Sequence, residues 1–155
     1  MPINPNTDFV SGAVLNASEQ NRFPRGIMAY AQSTSSSGVN TTEAVIFTVS
    51  FTAVANRYYK VTYHEPILQV PSGVSTATEV RFRLTNLAGA EQYFSQVQNN
   101  ATNQYASGYT FQDVLTFSAG SVTLVSTLKA STGTSAAFRT STAVGFFMVE
   151  DIGPA

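Results

Sequence analysis

The sequence contains no cysteine, no tryptophan and one histidine, and it has few charged residues. The absence of cysteine excludes disulfide bonds, zinc–thiolate sites and thiol catalysis. The single histidine, His64, excludes a metal centre with several imidazole ligands. Charged residues form 11% of the 155 residues, against roughly 25% in an ordinary soluble domain. The surface must therefore be covered by hydroxyl and amide groups rather than by charge.

The net charge and the short apolar runs argue against further classes of protein. The formal net charge is −1 and only two of the basic residues are lysines, whereas a general nucleic-acid binder needs a basic surface. No apolar run approaches the roughly 18 residues of a membrane span, and the N-terminal residues lack the basic-then-apolar pattern of a signal peptide. We therefore expect no nucleic-acid partner, no membrane insertion and no cofactor.

Hydroxyl and aromatic residues are abundant. Serine contributes 17 residues and threonine 19, and there are 11 phenylalanines and seven tyrosines. A length of 155 residues with 43% hydrophobic residues is enough for one domain with a substantial core. The aromatic residues exceed what one small core needs, so they indicate either a thick core or a subunit interface.

Residues 1–25 differ in pattern from the rest of the chain. Prolines and asparagines dominate the first eight residues, and a short helix is predicted from Asn16 to the break at residues 23–26 (FPRG). We predict an N-terminal attachment arm over 1–25 and a β domain over 26–155. The apolar residues of the arm are too few for a core of their own and must pack on the β domain or on a partner; they are Phe9, Val10, Val14, Leu15 and Phe23.

From Gly26 onward the hydrophobic pattern has a period of two, which is typical of half-buried strands. The clearest example is residues 79–84 (EVRFRL), and similar alternation predicts strands over 44–51, 58–64 and 121–128, with Val45 on the same side as Phe47. The run 143–152 lacks alternation and predicts a strand buried on both faces, while the polar stretch 96–108 predicts a loop. Short strands separated by glycine-containing turns indicate an all-β fold, an antiparallel β-sandwich of jelly-roll type.

No pattern predicts a catalytic or metal site. His64 and Glu65 are adjacent on a predicted strand, so their side chains point to opposite faces and cannot act as a dyad. Glu150 and Asp151 are the only adjacent carboxylates, and adjacent strand positions do not face each other across a cleft as glycoside hydrolysis requires. We expect these two to be exposed charges, and we expect the protein not to be an enzyme.

Arg81 and Arg83 lie on one face of a predicted strand together with Glu79. Two arginines in this arrangement are able to bind an acidic glycan or a partner carboxylate. The alternative is that they pair with acids on a neighbouring strand. Both interpretations remain open at this point.

The N-terminal residues resemble a known family pattern. Residues 9–21 (FVSGAVLNASEQN), followed by residues 24–26 (PRG), resemble a segment common at the N-terminus of tailed-phage structural proteins of the fibre, minor tail and head-decoration types. Asn16 stands where threonine is commoner in that pattern. The resemblance implies that this segment precedes a β-sandwich and attaches it to the particle.

The β domain resembles the trimeric jelly rolls of the tumour-necrosis-factor (TNF) and complement-C1q kind. The resemblance is carried in order by residues 26–31 (GIMAYA), 56–61 (NRYYKV), 117–124 (FSAGSVTL) and 143–149 (AVGFFMV). Asn56 replaces the glycine of the second motif and Ser121 the aspartate of the third. A homotrimer is the oligomeric state that this resemblance implies.

Together the two resemblances imply a non-enzymatic bacteriophage virion protein, assembled in the host cytoplasm. Its partners would be its own copies and capsid or tail proteins, as a capsid-decoration, head-fibre or tail-tip component. Contact with host surface glycans is an additional role open to such a protein, and Arg81 and Arg83 are the residues available for contact with a ligand or partner. Two alternatives stay open: a phage-borne glycan hydrolase or esterase, and a carbohydrate-binding module on the same scaffold. A deep cleft with two carboxylates would favour the enzyme, and an exposed aromatic platform would favour the module.

Overall fold

The computed structural model describes residues 12, 14, 20–38, 40, 42–69, 76–99, 105–106, 108–131 and 135–155. No helix in this part of the chain is long and apolar enough to cross a membrane. The strands that it contains are β1 (Gly26–Ser33), β2 (Ala44–Ala53), β3 (Arg57–Glu65), β4 (Ile67–Gln69), β5 (Thr76–Leu84), β6 (Glu91–Asn99), β7 (Tyr105–Ala106), β8 (Tyr109–Leu115), β9 (Gly120–Ala130), β10 (Ala136–Phe138) and β11 (Gly145–Pro154).

Two four-stranded sheets form a sandwich. Sheet I has the strand order β1-β11-β3-β8 and sheet II the order β2-β9-β5-β6, and every ladder within them is antiparallel. A third, small sheet has the strand order β10-β4-β7. Apart from the β5–β6 hairpin, the successive strands of these two large sheets alternate between them, in the manner of a jelly roll. The prediction of an all-β, antiparallel jelly-roll sandwich is confirmed.

The register places the arm and several connections at one end of the sandwich. Gly26 at the start of β1 pairs with Asp151 near the end of β11, and Pro154 pairs with Arg57 at the start of β3. The connections 54–56, 85–90 and 116–119 lie at this same end, because they join the strand ends that these ladders align. We call it the arm end, and the opposite one the far end.

The core is aromatic and lies between the two sheets. Tyr59 and Tyr63 of β3, Phe82 of β5 and Phe147 of β11 are fully buried. The Tyr63 ring packs edge-on against Phe147, with ring centroids 6.2 Å apart. The alternation predicted for β3 and β5 is thus confirmed, since the residues predicted on one side of each strand form this core.

Three details differ from the sequence-based prediction. A β-bulge between Val45 and Phe47 turns Val45 outward, where 41% of it is exposed, although a strict period of two placed both residues inward. Strand β11 alternates between buried and half-buried residues and is not buried on both faces. Strand β6 continues to Asn99 and β7 occupies residues 105–106, so the stretch 96–108 is not one loop.

A buried ion pair closes the far end of the core. Arg139, which follows β10, binds both carboxylate oxygens of Glu65 with its guanidinium group, and the Tyr63 hydroxyl donates to Glu65 at 2.7 Å. Burial, reinforced by the charge of Glu65, raises the pKa of Tyr63 well above its ordinary value, so the hydroxyl remains a donor. The Arg139 guanidinium also lies over the ring of Phe47, 4.5 Å from its centroid.

Glycine at position 145 makes room for this pair. A Cβ atom at Gly145 would lie 2.3 Å from Nε of Arg139 and 2.7 Å from Oε2 of Glu65. We predict that Gly145→Ala lowers the free energy of unfolding by about 3 kcal/mol, because it separates two charges that remain buried. Urea unfolding of the variant and the wild type measures this difference.

The matched control is Gly38→Ala, because a Cβ atom at Gly38 meets no atom within 4 Å. This control should unfold at the same urea concentration as the wild type. Equal losses of stability in the two variants would contradict the role given to Gly145.

Candidate functional site

The base of the N-terminal arm is fixed by Arg57, the first residue of β3. Its Nε and Nη2 atoms donate to the two carboxylate oxygens of Asp151 at 2.5 and 2.7 Å. Its Nη1 and Nη2 atoms also donate to the backbone carbonyl oxygens of Asn21 and Phe23, each at 2.5 Å. The Arg57 side chain is 4% exposed and that of Asp151 is fully buried. A desolvated ion pair therefore holds the chain where the arm joins the β domain.

Asp151 was predicted to be an exposed charge, and this prediction is wrong. A β-bulge between Asp151 and Gly153 interrupts the ladder, and Gly153 has a φ of 124° that favours glycine. The Gly153 amide donates to Oδ1 of Asp151 at 3.0 Å, which adds to the bonds from Arg57. Arg57 and Asp151 are 94 positions apart, so no local pattern in the sequence indicates their contact.

The predicted arm residues are only partly described. Phe9, Val10 and Leu15 lie outside the described residues, as does the start of the helix predicted from Asn16. Val14 is 90% exposed and Phe23 is 38% exposed. The carbonyl groups of residues 21 and 23 are held by the β domain. The boundary at residue 25 remains a prediction.

The outward face of sheet I is uncharged over the two rows nearest the far end. One row runs across the sheet from Tyr30 through Met148 and Thr62 to Gln112, and the next consists of Gln32, Phe146, His64 and Thr110. Tyr30 is 50% exposed, whereas Phe146 and Met148 are half-buried. A strip of eight uncharged side chains therefore lies on the outside of this sheet. Five of them are polar, and the other three, Tyr30, Phe146 and Met148, lie together on β1 and β11.

His64 belongs to this strip. Its ring stacks on Phe146, with centroids 5.3 Å apart, and its Nδ1 atom is 2.9 Å from the Thr110 hydroxyl. This agrees with the prediction of an outward polar position. The next row towards the arm end holds the ion pair of Lys60 and Glu150, whose charged atoms are 3.2 Å apart.

The outward face of sheet II has the opposite character, because it carries a network of five charged residues. Arg81 binds Glu79 at 2.6 Å and Glu91 at 2.9 Å. Arg83 binds Glu43 through two hydrogen bonds of 2.7 and 3.1 Å. Of the two interpretations of Arg81 and Arg83, the structure therefore favours pairing with neighbouring acids over binding of an acidic ligand.

Both guanidinium groups in this network already have carboxylate partners. Three carboxylates surround two guanidinium groups, and Arg81 also lies over the ring of Phe94, 4.8 Å from its centroid. Burial raises the pKa of Glu43, but hydrogen bonds from Arg83 and Thr127 and the nearby positive charges outweigh it and lower that pKa overall. The described residues contain no group of three histidine or acidic side chains that could hold a metal ion.

The sequence was compared with known protein families. Residues 11–88, half of the chain and the part that runs to the end of β5, match the family described as "Domain of unknown function (DUF7298)". The chain belongs to the DUF7298 family. No curated protein matches this DUF7298 chain in sequence.

Several solved structures are similar to the DUF7298 chain. Eiger TNF from S. frugiperda has a TM-score of 0.46 at 9% identity, over 86% of this chain and 94% of that one. The CBM22-1 xylan-binding domain of Xyn10C from Paenibacillus barcinonensis has a TM-score of 0.39 at 10% identity, over 86% and 99%. The enzymatically active domain of tailspike protein 4 from bacteriophage CBA120 has a TM-score of 0.29 at 11% identity, over 79% and 19%.

The charge network makes stability depend on pH through Glu43. Because its folded pKa lies below the ordinary value of 4.5, the stabilisation is complete above pH 4.5 and is lost as the pH falls through the lower, folded value. We predict that Glu43→Gln is less stable than the wild type at pH 7 by about 1 kcal/mol, and that the difference shrinks at pH 3. Urea unfolding at both pH values measures it; an equal difference at both would contradict the prediction.

Proposed function

We propose that this chain is a non-enzymatic structural protein of a tailed-phage virion. In this proposal it associates as a homotrimer through the outward face of sheet I and attaches to the particle through the arm. The protein would lie either on the capsid, as a decoration or head-fibre protein, or on the tail, as a tail tip. Quantitative mass spectrometry of purified virions would separate them, because hundreds of copies indicate decoration and a dozen or fewer indicate the tail.

The contrast between the two outward faces carries this proposal. Sheet II carries a charged network, which would be costly to remove from water. The two rows of sheet I nearest the far end carry no formal charge and include Tyr30, Phe146 and Met148. A face of this kind is typical of surfaces that pack against another subunit. The proposed number of subunits, three, rests on the resemblance of the strand motifs to trimeric jelly rolls.

The arm supports the proposed attachment to the particle. Its sequence over residues 9–21 resembles the attachment segment of phage structural proteins, and Arg57 holds residues 21 and 23 at a fixed point of the β domain. The preceding residues can then extend towards a partner from one defined position. Apolar side chains suit this role in a protein with few charges, since they need no electrostatic steering.

The absence of catalysis is part of the proposal. His64 is engaged by Phe146 and Thr110, and the carboxylates of Glu79 and Glu91 both bind the guanidinium of Arg81. A glycoside hydrolase needs one carboxyl group free to donate a proton and a second to act as nucleophile or base. These engaged groups do not favour the hydrolase alternative.

We predict that the full chain is a trimer and that Met148→Glu dissociates it. Met148 lies in the middle of β11, between Tyr30 of β1 and Thr62 of β3. A carboxylate there would be desolvated in each of three packed copies, which strongly opposes association. Size-exclusion chromatography with light scattering should give about three times the 16.6 kDa chain mass for the wild type and a single chain mass for the variant.

The matched control is Thr48→Glu, which adds the same charge at an exposed position of β2 in sheet II. This control should remain trimeric. A monomeric wild type would refute the trimer, and a trimeric Met148→Glu protein would show that another face mediates association.

We predict that residues 1–19 are needed for incorporation into particles and not for folding. Deleting them keeps the carbonyl groups of Asn21 and Phe23 that Arg57 binds, so the truncated chain should unfold at the wild-type temperature and keep its oligomeric state. It should be missing from virions purified after complementation of a phage that lacks the gene, as measured by mass spectrometry.

Deletion of residues 1–25 provides the comparison. It removes both carbonyl acceptors of the buried Arg57, and we expect it to lower the free energy of unfolding by about 1–3 kcal/mol. Incorporation of the 1–19 deletion at the wild-type level would show that the attachment surface lies on the β domain.

A further inference from the structure

A small cavity opens at the arm end, between the turn after β5 and the connection from β8 to β9. Its volume is about 300 Å³, which is at the lower limit of ligand sites in proteins. The residues that form its floor are apolar and half-buried, and those at its rim are exposed and carry hydroxyl groups. The floor consists of Leu84, Phe117 and Val122, and the rim of Thr85, Ser118 and Ser121.

The rim hydroxyls are available to a ligand. Within the described part of the chain, the side chains of Thr85, Ser118 and Ser121 form no hydrogen bond with the protein, whereas the nearby Thr123 hydroxyl is bonded to Ser50 at 2.9 Å. A hydroxyl group both donates and accepts. Three of them around one opening therefore suit a ligand that itself carries several hydroxyl groups.

Thr85 is held in a strained conformation at the edge of this cavity. Its φ is 69°, in the left-handed region that β-branched residues avoid. The Thr85 amide donates to the carbonyl oxygen of Thr123 at 2.8 Å, and the Leu84 amide donates to the carbonyl oxygen of Ala90 at 3.0 Å. These two hydrogen bonds hold the turn in this conformation. Such strain is concentrated at functional sites, where the surrounding structure maintains it.

The chemistry of the lining selects among ligands. The described residues that line the cavity carry no charge, so nothing there offsets the desolvation of an ionic ligand. A wholly apolar occupant would cover the rim hydroxyls and leave them without partners. A sugar ring suits both the apolar floor and the hydroxyl-bearing rim. Its C–H face would pack on the Phe117 side chain, and its hydroxyl groups would form hydrogen bonds with the rim.

We propose that this cavity binds one or two rings of a neutral saccharide. The site is distinct from Arg81 and Arg83, whose charges are matched internally, and it does not rest on the virion assignment. Because the cavity lies at the arm end, the bound saccharide lies at the same end of the sandwich as the Arg57–Asp151 pair and not at the far end.

The test is an NMR titration of the full chain with D-glucose, D-galactose and N-acetyl-D-glucosamine, each separately, and with D-glucuronate as the charged comparison. At least one neutral sugar should shift the amide resonances of Thr85, Ser118 and Ser121 in a saturable manner, and glucuronate should bind more weakly. Failure of all three neutral sugars to shift these resonances at 100 mM, or stronger binding of glucuronate, would overturn the proposal.

Variants locate the site. Ser118→Ala and Thr85→Val each remove one rim hydroxyl and should weaken binding about threefold to tenfold, and Thr85→Val keeps the β-branched shape. The control Thr48→Val removes an exposed hydroxyl of β2 outside the cavity and should leave affinity unchanged. Equal affinity in all variants would refute the assignment, and since no particles are involved, the result is independent of the virion proposal.

Discussion

The ion pair between Arg57 and Asp151 fixes the chain before the first strand and the end of the last strand of the described β domain. Two charges without access to water must be matched by each other and by hydrogen bonds, because removal of either leaves a buried charge at a cost of about 3–5 kcal/mol. Arg57 meets this requirement with two bonds to Asp151 and two to the carbonyl groups of residues 21 and 23. The chain just before β1 and the end of β11 are consequently both bound to Arg57 at the start of β3.

The scarcity of charge gives the two sheets their different surfaces. Of the eight basic residues, five form ion pairs within the described chain: Arg57, Lys60, Arg81, Arg83 and Arg139. Two of these pairs are buried at opposite ends of the core, and Arg81 and Arg83 belong to the network on sheet II. Little charge is left for the part of sheet I nearest the far end, where Tyr30, Phe146 and Met148 lie instead. The proposal that sheet I is the face of self-association rests on this distribution.

The fold could be predicted from the sequence because it depends on local alternation. The patterns around Tyr59 to Tyr63 and Val80 to Leu84 identified strands and their buried sides correctly. The errors occurred where one residue changes the period, as at the bulge that turns Val45 outward. Asp151 was misplaced for a related reason, since its burial depends on a bulge and on a partner 94 positions away.

The candidate site was less predictable than the fold. The outward strip on sheet I combines residues from four strands, and its rows exist only once the strand order β1-β11-β3-β8 is known. The cavity at the arm end likewise joins the turn after β5 to the connection before β9. The positive φ of Thr85 has no signal in the sequence, because the residue type that occupies it normally avoids that conformation.

The adjacency of Gly26 and Asp151 in the β1–β11 ladder has a practical consequence for display of foreign peptides. A peptide fused after residue 155 would emerge near the chain that Arg57 binds, at the end of the sandwich proposed for attachment. A peptide inserted in the exposed turn at residues 140–142, between β10 and β11, would emerge from the far end and leave the arm accessible. This turn is therefore the better insertion point if the protein is used to present epitopes on a particle.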